Sequence, residues 1–317
     1  MALGQVLDPR TAARVESEIF KRNSDIRGGI FRLLLQIALL VTLLTLAVLL
    51  VDVVRDGWPV LSTRFGDFIN GTLRSQSKDP LLGISQGLKG SLWIALIVAV
   101  LAFPIGIGSA IYLEEYAPKN RLTSFIELNI RNLAGVPSVV YGLLGLGLLV
   151  GPAARFTGGR SVLSAGLTMS CLVLPIVIIT ASEAIRAVPD ALREAGYGVG
   201  ATKWEVVRDN VLPYAAPGVL TGTLLSLSRA LGEAAPLILV GAVQGRLGGQ
   251  QGWFDPVALR EKFTGLPIII FNWVQDGGRD PGFVSASAAA IIVLLAVVLL
   301  LNSAAILLRN YFENKRG

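Results

Sequence analysis

The sequence has no histidine, one cysteine and few charges: only 16% of its 317 residues are Asp, Glu, Lys or Arg. Without histidine there is no imidazole base, no histidine metal ligand and no Ser-His-Asp triad. Cys171 lies inside an apolar run, with no disulfide partner and no companions for a metal site, so buried packing is its expected role. The Gly-x-x-x-x-Gly-Lys-Ser/Thr loop that cradles nucleotide phosphates is also missing, which argues against ATP hydrolysis by this chain. No catalytic or metal-ligating set is assigned.

Soluble domains carry about a quarter charged residues. Here 53% of residues are hydrophobic and the mean hydropathy is +0.63, with the apolar residues gathered into runs long enough to cross a bilayer. The fold class that follows is an all-α integral membrane protein with six spans, at about 33–51, 91–113, 133–150, 162–181, 218–240 and 283–308. The first apolar run starts late and is of full spanning length, so a cleavable signal is not expected. The net charge of +6 does not point to nucleic acid, because the basic residues lie mainly between and beyond the spans. With the N-terminus inside, the inner segments hold 16 Lys and Arg against 11 in outer segments of nearly equal total length. That bias predicts both termini in the cytoplasm. The chain then divides into a tail (1–32), a first span with an outer loop (33–90), a five-span region (91–308) containing a cytoplasmic loop (183–213), and a second tail (309–317).

The cytoplasmic loop is the most structured polar stretch. It reads Glu194-Ala195-Gly196-Tyr197-Gly198-Val199-Gly200, then nine residues, then Asn210-Val211-Leu212-Pro213. Pro189-Asp190 starts a short helix, and the three glycines permit a sharp joint. Thr202-Lys203-Trp204-Glu205 has the spacing of a capping box that opens a second helix. That helix is expected to reach about Val211 and to stop before Pro213. Trp204, Val207 and Val211 fall on one face, an apolar stripe suited to a groove in another protein. The same residues, with Lys203 and Arg208, suit a helix–turn–helix lying on a lipid surface equally well.

The fifth span carries Ser228-Arg229-Ala230-Leu231-Gly232-Glu233-Ala234-Ala235-Pro236. An ionised side chain near the bilayer centre costs about 2.5–3.5 kcal/mol on insertion scales, so such residues are functional candidates by default. Arg229 and Glu233 stand four apart, share a helix face and can pair, and Pro236 can kink the helix just beyond them. They suit a structural ion pair. They also suit an anion station, in which the guanidinium fork meets oxyanion oxygens and the carboxylate keeps binding weak enough for release. Ser138 and Tyr141, near the start of the third span, are candidate neutral donors along the route or packing residues. In the second outer loop, Leu266 to Trp273 is too short to span. It fits an interfacial segment anchored by Trp273, or packing on the ends of the bundle.

Three passages carry a resemblance. The loop keeps Glu194, Ala195, Gly200, Leu212 and Pro213 at the intervals of the "EAA" loop of ABC importer permeases, and departs from that pattern at Gly196 and Asn210. The Arg229–Pro236 segment, together with Val136-Pro137-Ser138-Val139-Val140-Tyr141-Gly142, resembles A-type permease subunits of phosphate-specific ABC importers, and Leu266-Pro267 with Phe271-Asn272-Trp273 is similar to their outer loop. The resemblance implies a type I ABC importer core of five helices preceded by one peripheral helix. It implies Glu194, Ala195, Gly196, Gly198, Gly200, Thr202, Trp204, Leu212 and Pro213 as the ATPase-coupling surface, and Arg229, Glu233, Ser138 and Tyr141 as the substrate pathway. It further implies a C-type permease partner, an ATPase dimer that binds the ATP and magnesium, an external phosphate-binding protein, inorganic phosphate as cargo, and a bacterial or archaeal cytoplasmic membrane. Other readings are a permease for sulfate, molybdate or phosphonate, and an ion-coupled carrier. The carrier predicts ionisable residues in both halves of the chain, and a charged span is seen in only one.

Overall fold

The computed structural model describes residues 26–243 and 255–314. The N-terminal tail up to residue 25, residues 244–254 and the last three residues lie outside the described residues. Every element described is helical, apart from an isolated bridge between Thr72 and Leu82. Among the described residues, five helices are long and apolar enough to cross a membrane, or six when a pair bent by 102° is counted as one span.

The chain forms two compact units, residues 1–52 and 53–317. Helix α1 (Ile26–Asn70) crosses that boundary. In the first unit it is apolar on all sides, and none of its most apolar window is buried, as suits a helix solvated by lipid. In the second unit it runs on to Asn70 with a kink at Arg64 (φ −143°, ψ 39°), so residues 53–70 are mostly helical where a loop was expected after the first span. Leu61 and Phe68 are buried there.

The second unit continues with α2 (Ser85–Ile111), which ends in a π turn at Tyr112–Tyr116. Helices α3 (Arg121–Ala134) and α4 (Ser138–Leu144), the latter extended by a π turn to Val150, meet at 102°. Then come α5 (Val162–Arg186), α6 (Asp190–Gly198), α7 (Lys203–Val206), α8 (Leu212–Gly232), α9 (Ala235–Val240), α10 (Leu266–Asp276) and α11 (Gly282–Asn314).

Three apolar clusters lie along the bundle. The middle one joins α2, α4, α5, α8 and α9 through residues such as Val98, Tyr141, Met169, Val173, Leu227 and Leu237. At the start of α2, a second gathers Phe68, Leu82, Ile84, Ile269, Trp273 and Phe283. At the far end of α2, a third joins Ala110, Ile185, Val206, Val211 and Ala215.

Two expectations change. The third span is not one helix from 133 to 150. Leu133 and Ala134 end α3, and the chain turns at Gly135-Val136-Pro137, because Pro137 lacks an amide hydrogen and biases Val136 out of helical geometry. The thiol of Cys171 is exposed rather than packed inside, since in an apolar solvent the outer face of α5 can be as apolar as its inner face. For Trp273, the bundle-packing alternative is the one found. It is buried between Phe68 and Phe283, with ring centroids 6.1 and 5.9 Å away, so α10 closes that end of the bundle.

The same end is stapled by Asp280, whose carboxylate accepts hydrogen bonds from the Ser77 amide (2.9 Å), the Ser77 hydroxyl (2.7 Å) and the Gly282 amide (3.1 Å). The Ser77 hydroxyl bond, then the Ser77 amide bond, hold the Asp280 pKa below its ordinary value. A carboxylate depressed in the folded state stabilises it above the unfolded pKa, and that contribution fades as pH falls toward the folded value. Asp280→Asn is therefore expected to lower the melting temperature at pH 7 and to converge on the parent when both are melted in acid below the usual carboxylate range.

Candidate functional site

The loop between α5 and α8 has the expected helix–joint–helix construction. Helix α6 begins at Asp190 after Pro189. Gly200 takes the left-handed backbone conformation (φ +84°), which a side chain would strain. The capping box is present: the Glu205 amide donates to the Thr202 hydroxyl, and the Glu205 carboxylate accepts from the Thr202 amide at 2.7 Å.

The second helix does not stop before Pro213. From α7 the chain passes through a π turn at Val207–Val211 straight into α8, a helical stretch from Lys203 to Gly232. Proline removes one helical amide and crowds the carbonyl four residues earlier, here that of Asp209. The wider π turn directly before Pro213 makes room for both effects, and Pro213 sits in the first turn of α8, where the missing amide costs little.

The expected docking stripe is also revised. Val207 and Val211 are completely buried, and Val211 belongs to the loop-end core with Val206, Ile185 and Ala215, so it holds the loop to the bundle. The apolar groups that remain outside gather at the joint: Tyr197 (46% exposed), Val199 (85%) and Trp204 (54%). Glu194, Ala195, Gly198, Gly200, Thr202 and Pro213 are exposed beside them, Leu212 is half-buried and Gly196 is buried. Sequence periodicity identified the stripe and could not tell which way it faces.

Gly196 and Asn210, the two departures from the importer pattern, touch each other. A Cβ at 196 would come within 2.6 Å of the Asn210 side-chain nitrogen, which itself reaches toward the Leu192 carbonyl at 3.5 Å. Each departure therefore accommodates the other.

A charged clasp binds this loop to the end of α2. Arg193 donates from Nε and Nη2 to Glu115 Oε1 (3.1 and 2.8 Å), and also reaches Asp190 and the carbonyls of Ile185 and Val188. Its side chain is 18% exposed and that of Glu115 only 7%. Next to it, Arg186 meets Glu114 through two hydrogen bonds, of 2.6 and 3.2 Å. Lys203 places its ammonium 5.1 Å from the centre of the Tyr116 ring. Three successive residues of the π turn thus hold α5, α6 and α7. Sequence reasoning missed the clasp; its one sequence signal is a pair of adjacent carboxylates closing an apolar run.

The fifth span, where Pro236 was expected to kink the helix just beyond the charged pair, is broken outright. Helix α8 ends at Gly232, Glu233 is extended (φ −83°, ψ 118°), and α9 begins at Ala235 with Pro236 in its first turn. Pro236 cannot bond the carbonyl of Gly232 and crowds it, which ends the first helix there. Arg229 and Glu233 still pair, Nε to Oε1 at 3.6 Å, but across the end of a helix rather than along its face. The arginine side chain is 62% exposed and the glutamate 22%. Arg229 lies in the last turn of α8, where unpaired carbonyls favour a cation by about 0.3–1 kcal/mol. Ser228 Oγ donates to Asn302 Oδ1 at 2.6 Å and ties this turn to α11.

The two breaks pack together. A Cβ at Gly142 would lie 2.7 Å from Pro236 Cα, so α4 and α9 approach closely only because position 142 is glycine. Tyr141 is buried, and its hydroxyl donates to the Leu133 carbonyl (2.9 Å), which at the bend before α4 also accepts from the Val136 amide (3.0 Å). That hydroxyl is engaged in the fold rather than presented to a route. Ser138 is half-buried at the start of α4. In a bilayer, non-helical backbone is tolerated where protein buries it or where it lines a cavity, and discontinuous helices are a recurrent way to build transport sites.

Residues 102–316 match the family described as "binding-protein-dependent transport system inner membrane component". The chain belongs to this family, and is a multi-pass membrane protein of the transport-permease class. Among curated proteins it is 39% identical over 206 residues to the phosphate transport system permease protein PstA of Mycobacterium leprae, covering 64% of this chain and 65% of the relative. It is 34% identical over 205 residues to the phosphate transport system permease protein PstC 2 of Mycobacterium tuberculosis, covering 57% and 63%. The chain therefore spans less than two thirds of the length of either relative. Among solved structures, a chain of the MetNI methionine ABC transporter in an inward-facing conformation superimposes with a TM-score of 0.54 at 18% identity, covering 72% of this chain and 95% of that one. That likeness shows a shared helical fold with that transporter chain.

Gly196→Ala is expected to cost about 1–3 kcal/mol, the usual range for overpacking a well-filled site, seen as a lower melting temperature of the purified protein. Adding Asn210→Ala, which removes the nearer of two obstructing groups and leaves Val206 Cγ2 at 2.8 Å, is expected to recover part of the loss. A Gly196→Ala variant as stable as the parent would show that the contact is slack.

Proposed function

We propose that this chain is a permease subunit of an ATP-driven ABC importer that carries inorganic phosphate inward across the cytoplasmic membrane. The observation that carries the reading is the break at Glu233: an arginine that stays charged, half-committed to a carboxylate 3.6 Å away and 62% exposed, at the one place where the fifth span interrupts its hydrogen bonding. A guanidinium with free donors matches phosphate oxygens, and a neighbouring carboxylate limits the affinity so that the anion can leave. The identity to PstA supports phosphate over other oxyanions.

In this reading both termini face the cytoplasm, a C-type permease completes the pore, and two ATPase subunits supply ATP binding and hydrolysis. An external binding protein delivers the phosphate. The docking surface is the joint presenting Tyr197, Val199 and Trp204. Closure of the ATPases pushes this joint. The push passes along the continuous helix from Lys203 to Gly232 to Arg229, and through Arg193–Glu115 to α2.

Arg229→Ala is expected to reduce labelled-phosphate uptake to background in membranes that hold the complex at parental levels, with excess sulfate or molybdate failing to compete in the parent. Parental uptake by this variant would end the anion-station reading, and competition by sulfate would move the cargo to another oxyanion. Val199→Asp, which puts a charge at the most exposed apolar position of the joint, is expected to release the ATPase on co-purification. Full retention of the ATPase with coupled uptake would place docking elsewhere.

A further inference from the structure

We propose that Arg160 and Lys262 form an outer anion-collecting site at the far end of α9, which gathers a small oxyanion before it reaches Arg229. The proposal rests on the permease reading for its direction, and on geometry for its existence.

Three segments far apart in sequence converge there. The Val162 amide donates to the Glu261 carbonyl (3.3 Å) and the Val243 amide to the Phe263 carbonyl (2.7 Å), which joins the turn before α5, the chain after α9 and the segment leading to α10. Gly158 and Gly159 both take left-handed backbone angles, and a Cβ at 158 would lie 2.8 Å from the Arg260 carbonyl. Gly241, also left-handed (φ +100°), ends α9 and has the stem of Arg160 laid over it, 2.5 Å from where a Cβ would be. Arg160 is held by its stem while its side chain remains exposed.

These segments enclose a cavity of about 430 Å³, bounded by Arg160, Lys262, the backbone around Gly241, and the apolar side chains of Leu146, Ile238 and Leu239. Among the described residues, its lining contains two cations and no carboxylate. The contrast with the cavity beside α10 is informative: there Arg74 and Arg279 are accompanied by Asp276 and Asp280, so the charges offset one another. A concave site of one sign with apolar walls concentrates ions of the opposite sign and raises their rate of arrival. The cavity opens at one end of α9, and the Glu233 break lies at the other. Six helical residues rise about 9 Å, so an anion leaving this site is one short helix from Arg229. The segments carrying Arg160 and Lys262 are those that the charge bias assigns to the outside.

The test measures the local potential directly, in the assembled complex in proteoliposomes with Cys171→Ser as background. Val243→Cys places a thiol in the cavity wall and leaves both cations intact. A membrane-impermeant, negatively charged methanethiosulfonate is expected to label it at least about fivefold faster than a positively charged one at low salt, as focusing by like charges requires. The preference is expected to collapse in Arg160→Gln/Lys262→Gln and near 1 M salt, where charges are screened within about 3 Å. It is expected to survive in Arg160→Lys/Lys262→Arg, and inorganic phosphate is expected to slow labelling more than chloride of equal ionic strength. Equal rates for the two reagents, a preference that survives neutralisation, or no protection by phosphate would each overturn the site. Uptake by Arg229→Ala separates the two readings. If the anionic preference is absent while Arg229→Ala still abolishes uptake, only the outer site falls. If the preference is intact while Arg229→Ala transports normally, the inner station falls.

Discussion

A bilayer supplies no hydrogen bonds, so a chain that leaves helical geometry inside it must find partners for its freed amides and carbonyls within the protein. Much of this molecule follows from that constraint. At the bend before α4 the Leu133 carbonyl accepts from the Val136 amide and also from the Tyr141 hydroxyl. The break after α8 leaves Glu233 extended, and α9 beyond it is packed against α4 through Gly142. The two irregular stretches cover one another, and this keeps an exposed arginine with its carboxylate at a point where an unbroken helix would have offered only side chains.

The loop end shows how force on a small surface can reach that point. The exposed joint is a few residues wide, but its second helix is continuous with α8, and its first is clasped to the end of α2 by Arg193 and Glu115. A buried, multiply bonded ion pair is a poor source of stability and costly to break on one side, which suits a part that must keep its geometry while neighbouring parts move. Burying Val207 and Val211 adds to the same stiffness, since a joint that swung freely on the bundle would absorb a push rather than pass it on.

What could be read in advance follows the range of the interactions involved. The capping box at Thr202 and Glu205, the helix start at Pro189-Asp190 and the glycine joint are local, and all appear as the sequence implies. Pro137 and Pro236 were visible too, but proline signals only that something yields. It ended a helix in both those places, and at Pro213 a π turn absorbed it instead. Arg193–Glu115 and Arg186–Glu114 join residues 78 and 72 positions apart, a distance at which no periodicity survives.

The sequence alone determined that this is a helical membrane protein, because long apolar runs have no other stable home. It also determined where its polar, glycine-jointed loop lies and which two ionisable residues enter the fifth span. The tertiary structure decided which face of the loop looks outward, that Arg229 and Glu233 pair across a helix end, that the two breaks meet, and that Gly196 and Asn210 answer each other. The physical reason is the same in each case. Burial, close approach and charge pairing depend on which surfaces meet, and that is set by packing between helices distant in sequence rather than by any helix on its own.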